Sequence, residues 1–359
     1  MAQVILVHPD SSRLGGIESY IQKITPHLTV SHESCGNSRR PGENGAFASI
    51  RRLVGDYLKF YKQVSAPEVT IVHLNTSLQR KMLYRDWIFF LLARLYRKKT
   101  LVFLHGWDTR FEQNLSAGKG RIFRLLYGRA DAFIVLASAF ARALADWGLT
   151  QPVHREVIII EDEVYNAVRL DELLNQRKQA SLKLLLFPSR LIRAKGIFTT
   201  LHALQQVQKR DADTGLIVAG DGADAAEARQ LTEQLELRNC RFTGIVSGEQ
   251  KYDLYRQAHL LCFPTEHDEG FPNTIVEAMA FGLPVLTRPV GGIRDFFVDG
   301  EHGFLSQGTD PAVFAQLVET GLDDEDRYAQ IAQRNHRYAG ENFLASQAAR
   351  RLEAIYRTL

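Results

Sequence analysis

The stretch Glu269-Gly270-Phe271-Pro272-Asn273-Thr274-Ile275-Val276-Glu277-Ala278-Met279-Ala280 places two carboxylates eight positions apart across the start of a helix. Pro272 suits the first helical position, where the N–H it lacks would have no intrahelical partner. The free N–H groups and the positive dipole end of such a helix form a site for an anion such as a diphosphate. Glu269 then lies just before the helix and Glu277 about one and a half turns inside it. Carboxylates repel phosphate, so beside it they serve to accept hydrogen bonds from hydroxyls. A ligand with a diphosphate flanked by hydroxyl-rich rings on both sides is a nucleotide sugar.

Working outward, other short motifs also follow apolar runs. The run Leu184-Leu185-Leu186-Phe187 leads into Arg190 and Lys195-Gly196. Two cations beside a helix start can clamp a diphosphate, Arg bidentately and Lys as a point charge. Arg193, between them, is expected to face water. His105-Gly106 ends the run Leu101-Val102-Phe103-Leu104, and Gly15-Gly16 follows the first strand and precedes a helix. Glycines there let the backbone approach a phosphate or sugar. Gly291-Gly292 reads in the same way.

Two motifs point elsewhere and fail on context. Gly220-Asp221-Gly222-Ala223-Asp224-Ala225 fits a dinucleotide fingerprint. The acid expected about 20 residues on is missing: the next strand ends Phe242-Thr243-Gly244. Asp211-Ala212-Asp213 looks like a metal-binding D-x-D, but it precedes a strand and sits in a polar turn with Lys209 and Arg210. No other His/Asp/Glu cluster has ligand spacing, so no metal and no cofactor are expected.

The ordered set from Gly15-Gly16 through His105-Gly106, Arg190, Lys195-Gly196, Gly220-Asp221-Gly222 and Glu269–Glu277 to Gly291-Gly292 resembles the retaining glycosyltransferases of family 4. The resemblance covers most of the chain. It implies the GT-B fold: α/β, two Rossmann-like doubly wound parallel-sheet domains facing an interdomain cleft, with the last helix, about 345–358, crossing back. It implies a donor site of Gly15, Gly16, Arg190, Lys195, Gly270, Phe271, Pro272, Asn273, Thr274 and Glu277, with Glu277 on the donor ribose. Glu269 and His105 would contact the transferred sugar, and His105, Glu269, Arg190 and Lys195 would carry catalysis. Asp108 would orient His105 or bind acceptor. The implied reaction moves a sugar from a nucleoside diphosphate to an acceptor hydroxyl with retention. Other readings left open are a non-catalytic scaffold, a GT-B epimerase or phosphorylase, and a transferase acting on a soluble acceptor. One departure stands out: Glu161-Asp162-Glu163-Val164-Tyr165-Asn166 replaces the Pro-Asn-Gly turn common in the family.

Length and composition agree with this. A chain of 359 residues predicts two domains, each with its own core. The expected division is 1–165 plus about 345–359, and 166–344. Val157-Ile158-Ile159-Ile160 reads as a last strand of the first domain, and the second repeats the strand–helix alternation. No apolar run reaches the ~18 residues needed to span a bilayer. The N-terminus enters Val4-Ile5-Leu6-Val7 directly, so no signal peptide is expected. Cys35, Cys240 and Cys262, odd in number and without ligand spacing, read as free thiols in a reducing cytoplasm.

Residues 1–165 hold 22 Lys and Arg against 15 Asp and Glu, a net of +7; the remainder holds 22 against 26, a net of −4. A basic half attracts an anionic membrane face or a phosphorylated acceptor. Residues 47–64 form a basic amphipathic helix with Arg51, Arg52, Lys59 and Lys62. These four are the expected contacts with an anionic inner membrane surface, where a lipid-linked or other glycan acceptor waits. Residues 81–99 read as a helix sandwiched against its sheet rather than a membrane helix. No nucleic-acid partner is expected.

Overall fold

Short Val/Ile/Leu/Phe runs that are buried on both faces need neighbouring strands on either side and helices above and below. The computed structural model has this arrangement twice, and it describes residues 3–9, 15–36, 45–267 and 270–359. The chain divides into two compact units, one of 1–159, 268–271 and 345–359, the other of 160–267 and 272–344.

The first unit holds strands β1 (Gln3–His8), β2 (Ser31–Gly36), β3 (Val69–Leu78), β4 (Lys99–Trp107), β5 (Ala132–Val135) and β6 (Val153–Arg155). They form a sheet in the order β2-β1-β3-β4-β5-β6, with every neighbour parallel. Its helices are α1 (Gly16–Ile24), α2 (Ala46–Val64), α3 (Arg80–Leu95), α4 (Thr109–Ala117), α5 (Arg121–Tyr127) and α6 (Ser138–Asp146). Phe60, Phe89, Phe123 and Phe133 fill the core between the sheet and the layer of α2, α3 and α5.

The second unit opens with α7 (Asp162–Asn166) and α8 (Leu170–Gln179). Its strands are β7 (Lys183–Pro188), β8 (Thr214–Ala219), β9 (Cys240–Gly244), β10 (Leu260–Phe263), β11 (Val285–Thr287) and β12 (Gly303–Leu305). The sheet order is β12-β11-β10-β7-β8-β9, again parallel throughout. Helices α9 (Ile197–Gln208), α10 (Ala225–Gln234), α11 (Gly248–Gln257), α12 (Asn273–Ala280), α13 (Pro311–Asp323) and α14 (Glu325–Asn342) cover it. The last helix, α15 (Ala345–Thr358), groups with the first unit. There Arg351 holds the buried Glu156 through Nε and Nη2, the latter at 2.8 Å, and Tyr356 reaches His73 Nδ1 at 2.7 Å.

Several local expectations change. Residues 157–159 are not a strand: the last strand of the first sheet is the half-polar β6, and Ile160 makes a single bridge to Leu344. Pro272 is the N-cap of α12 in extended conformation, one residue before the helix proper. Its fixed φ serves equally there, because only ψ distinguishes the two positions. The polar strand β2 is not evident from hydropathy. It lies at the sheet edge, where one face and one ladder are open to solvent.

Candidate active site

In an open parallel sheet the loops after the strands' carboxyl ends carry the ligand site. In the second unit, the loops after β7, β8 and β9 and the helices α11 and α12 surround a cavity of about 250 Å³. Pro188, Ser189 and Arg190 line it from the β7 loop, Gly220 and Asp221 from the β8 loop, and Ile245 and Val246 from the β9 loop. Lys251 and Tyr255 of α11 and Glu277 of α12 complete the wall.

Glu277 is buried, yet it keeps its charge compensated. Lys251 Nζ stands 2.6 Å from Oε1, and the Tyr255 hydroxyl donates to Oε2 at 2.9 Å. Burial, and next the nearby Glu277 charge, push the Tyr255 phenol well above its ordinary range, so it stays a donor. A carboxylate offers about four acceptor sites, so Glu277 can serve more than one kind of donor. Arg190 is exposed at the cavity wall. The amides of Asn273 and Thr274 take no acceptor among the described residues, while those of Ile275 and Val276 turn back to the Pro272 carbonyl. The Thr274 hydroxyl donates to the Pro188 carbonyl at 3.0 Å, tying α12 to the end of β7.

Glycines hold this wall together. Gly220 has φ 149°, and a Cβ there would overlap the Ser189 carbonyl oxygen; one at Gly222 would overlap that of Leu191. The β7 loop bearing Arg190 thus lies directly on the Gly220-Asp221-Gly222 turn, with Leu191 N–H donating to the Asp221 carbonyl at 3.0 Å. Gly196 has φ 90°, and a Cβ there would stand 2.5 Å from the Pro264 carbonyl oxygen. Lys195 is buried beside this turn, its ammonium 5.7 Å from the Phe263 ring centre, and does not line the cavity. Arg193, expected in water, pairs with Glu227 at 2.7 Å on the surface and lies over the Phe198 ring. Asp211 closes a local turn, accepting from Asp213 N and the Thr214 hydroxyl. Among the described residues no three His, Cys, Asp or Glu side chains are grouped to hold a metal ion.

In the first unit, His105 ends the inner part of β4 and is buried. Its Nε2 stands 2.9 Å from Asn75 Oδ1, while the Asn75 amide nitrogen faces the Val7 and His73 carbonyls. Nε2 is therefore the protonated nitrogen and Nδ1 a lone-pair acceptor. Nδ1 is buried with no partner among the described residues. Burial, and then the neighbouring His73, hold His105 well below the usual imidazole range. Phe103 stacks on the ring with centroids 3.6 Å apart. Asp108 does not orient His105: it caps α4, accepting from Phe111 N at 3.0 Å, and Asn75 is the orienting partner. Gly15 is the N-cap of α1 and Gly16 its first residue, with the buried Glu18 in the first turn. A Cβ on Gly270 would stand 3.1 Å from the His105 carbonyl oxygen, and the neighbouring Phe271 is buried. Glu269 lies outside the described residues.

Acidification should weaken this unit. Burial holds His73 down to about 3, whereas it titrates near 6.5 when unfolded. Between those values the unfolded chain binds more protons, so stability falls as pH drops from 6.5 towards 3. Each such histidine contributes at most roughly 1.4 kcal/mol per pH unit. Denaturant midpoints should fall between about pH 7 and 4.5, and less steeply in His73→Phe; equal slopes would contradict the assignment.

Residues 172–338 match the family described as glycosyl transferases group 1. The chain is 31% identical over 181 residues to a D-inositol 3-phosphate glycosyltransferase of Corynebacterium diphtheriae, covering 48% of this chain and 42% of that protein. It is 27% identical over 237 residues to the lipopolysaccharide 1,2-N-acetylglucosaminetransferase of Salmonella typhimurium, covering 62% and 61%. The chain thus spans about half the length of the curated relatives it matches. Among solved structures, Anabaena HepE in complex with UDP and glucose superposes with a TM-score of 0.77 at 20% identity, over the whole of both chains. Sucrose-phosphate synthase from Thermosynechococcus elongatus gives 0.78 at 17% identity, over 100% and 99%. These likenesses establish the two-domain α/β GT-B fold.

Proposed function

We propose that the chain, which carries a group 1 glycosyltransferase domain in its second unit, transfers a sugar from a nucleoside-diphosphate sugar to an acceptor hydroxyl with retention of configuration. The observation that carries this is the convergence on one cavity of a buried, hydroxyl-accepting carboxylate (Glu277) and an exposed guanidinium (Arg190), with two amides at the start of the same helix α12 that take no acceptor among the described residues. The ribose hydroxyls donate to Glu277, and the base lies along Ile245 and Val246. Arg190 and the α12 amides neutralise the leaving diphosphate, where developing charge most needs fixed donors, and Lys195 adds its positive charge from behind the cavity wall. His105, neutral and held by Asn75, is assigned to the transferred sugar. Glu269 is assigned to hydroxyls of the transferred sugar.

The acceptor is a lipid-linked or polysaccharide glycan precursor at the cytoplasmic membrane face. The names of relatives concerned with lipopolysaccharide and capsular polysaccharide biosynthesis support this class, whereas the D-inositol 3-phosphate glycosyltransferases favour a soluble phosphorylated acceptor as the second reading. Incubation with a panel of nucleoside-diphosphate sugars, uridine first after the HepE complex, should release free nucleoside diphosphate. Acceptor should accelerate that release, and the glycoside should keep the donor's anomeric configuration by NMR. Release without any glycoside product from every acceptor class, or an inverted product, would contradict the reading. Turnover should also survive EDTA; loss restored by Mg²⁺ or Mn²⁺ would overturn the metal-independent assignment.

A further inference from the structure

An amphipathic helix normally turns its apolar stripe to the core and its charges to water. On the first unit three neighbouring helices present apolar stripes outward as well. In α2 the exposed large residues are Ile50, Val54, Leu58 and Tyr61; in α3 they are Tyr84, Ile88, Leu91 and Leu95; in α5 they are Ile122 and Leu125. Their spacings of three and four put each set on one side of its helix. Leu95 is 73% and Leu125 83% exposed. Because α2 packs on α3 and α3 on α5, the stripes share one layer over the sheet. A patch of this kind marks an interaction surface.

The charges of these helices identify the occupant. Their exposed charged residues are all cations: Arg51, Lys59 and Lys62 on α2, Arg80 and Lys81 on α3, Arg121 and Arg124 on α5. Their only acids, Asp56 and Asp86, are buried against Arg52 at 2.8 Å and Arg85 at 2.6 Å. Arg52, expected as a surface contact, is therefore turned inward. No helix is long and apolar enough to cross a membrane among the described residues. A second copy docking face to face would set seven cations against seven; an anionic leaflet neutralises them while taking up the apolar stripes.

We infer that the outward face of α2, α3 and α5 seats the first unit in the headgroup–acyl boundary of an anionic lipid leaflet. This differs from attraction by charge alone, and it does not depend on the glycosyl-transfer reading. The full chain should cosediment with mixed phosphatidylcholine–phosphatidylglycerol vesicles, and part of that binding should persist in 1 M salt, where the Debye length is about 3 Å. Replacing Leu58, Leu91, Leu95 and Leu125 together by Ser should lower partitioning at high salt by roughly 100-fold or more. The thermal midpoint and far-ultraviolet dichroism should stay unchanged. Arg51→Glu with Lys62→Glu and Lys81→Glu should lower only the low-salt component. Wild-type binding wholly abolished by salt, or none to any vesicle, would overturn the inference. So would a dimer that the serine variant dissociates, because the face would then be covered by a second copy.

Discussion

Arg190→Ala is expected to slow sugar transfer by about 100-fold or more while leaving the fold intact. A preorganised donor aimed at charge that develops in the transition state contributes roughly 10²–10³ in rate when it is removed singly. Arg190 is suited to that role because it is exposed on the cavity wall and has no partner among the described residues. Its removal therefore leaves no buried group unpaired. The loop is fixed from beneath by Gly220 and Gly222, so the backbone should stay in place. Lysine should rescue only part of the loss, since it supplies a point charge where the fork binds bidentately. Lys195→Ala should also slow transfer, but with a cost in stability, because Lys195 is buried against Phe263. Steady-state rates checked against thermal midpoints separate the two; an Arg190→Ala enzyme of wild-type rate would contradict the assignment.

Glu277→Ala should act on both binding and stability. Losing a hydrogen bond to a charged group costs about 1.5–3 kcal/mol, roughly ten- to hundred-fold in affinity. Because Lys251 and Tyr255 both point at Glu277, alanine also strands a partly buried ammonium and a buried hydroxyl. Breaking a buried pair from one side costs up to about 3–5 kcal/mol, less here because Lys251 keeps 24% of its side chain exposed. Glu277→Gln retains an acceptor for Tyr255 but not the ion pair. Its affinity for a nucleoside diphosphate should fall while its midpoint drops less than that of the alanine variant. Calorimetric affinities equal to wild type in both variants would remove Glu277 from the site.

Much of this was legible in the chain itself, for a definite reason. The alternation of apolar runs and helical periods survives in the central strands β1, β3, β4, β7 and β8, which are buried on both faces. That Arg190 and Glu277 would lie near one another follows from local pattern, because each sits a few residues from a strand end or helix start, and both line one cavity. Lys251 and Tyr255 were missed: their contact with Glu277 spans 26 and 22 residues and exists only because α11 lies beside α12. The signal available was their own i, i+4 spacing, which puts a cation and a hydroxyl on one helix face. Edge strands β2 and β6 were hidden by their polar residues, while the apolar 157–160 run drew attention to a connector. The stripe on α2 was visible as amphipathic. That it points outward is a tertiary fact: Phe60 and Val64 on the opposite face reach the core.

The central claim is that the cavity between the β7, β8 and β9 loops and the helices α11 and α12 holds the nucleoside diphosphate of the donor. Hydrogen exchange read by mass spectrometry with and without nucleoside diphosphate tests it most directly. Protection is predicted in peptides covering Ser189–Lys195, Gly220–Asp224, Ile245–Lys251 and Asn273–Glu277. Binding that leaves these four segments unprotected, with protection elsewhere in the chain, would contradict the account.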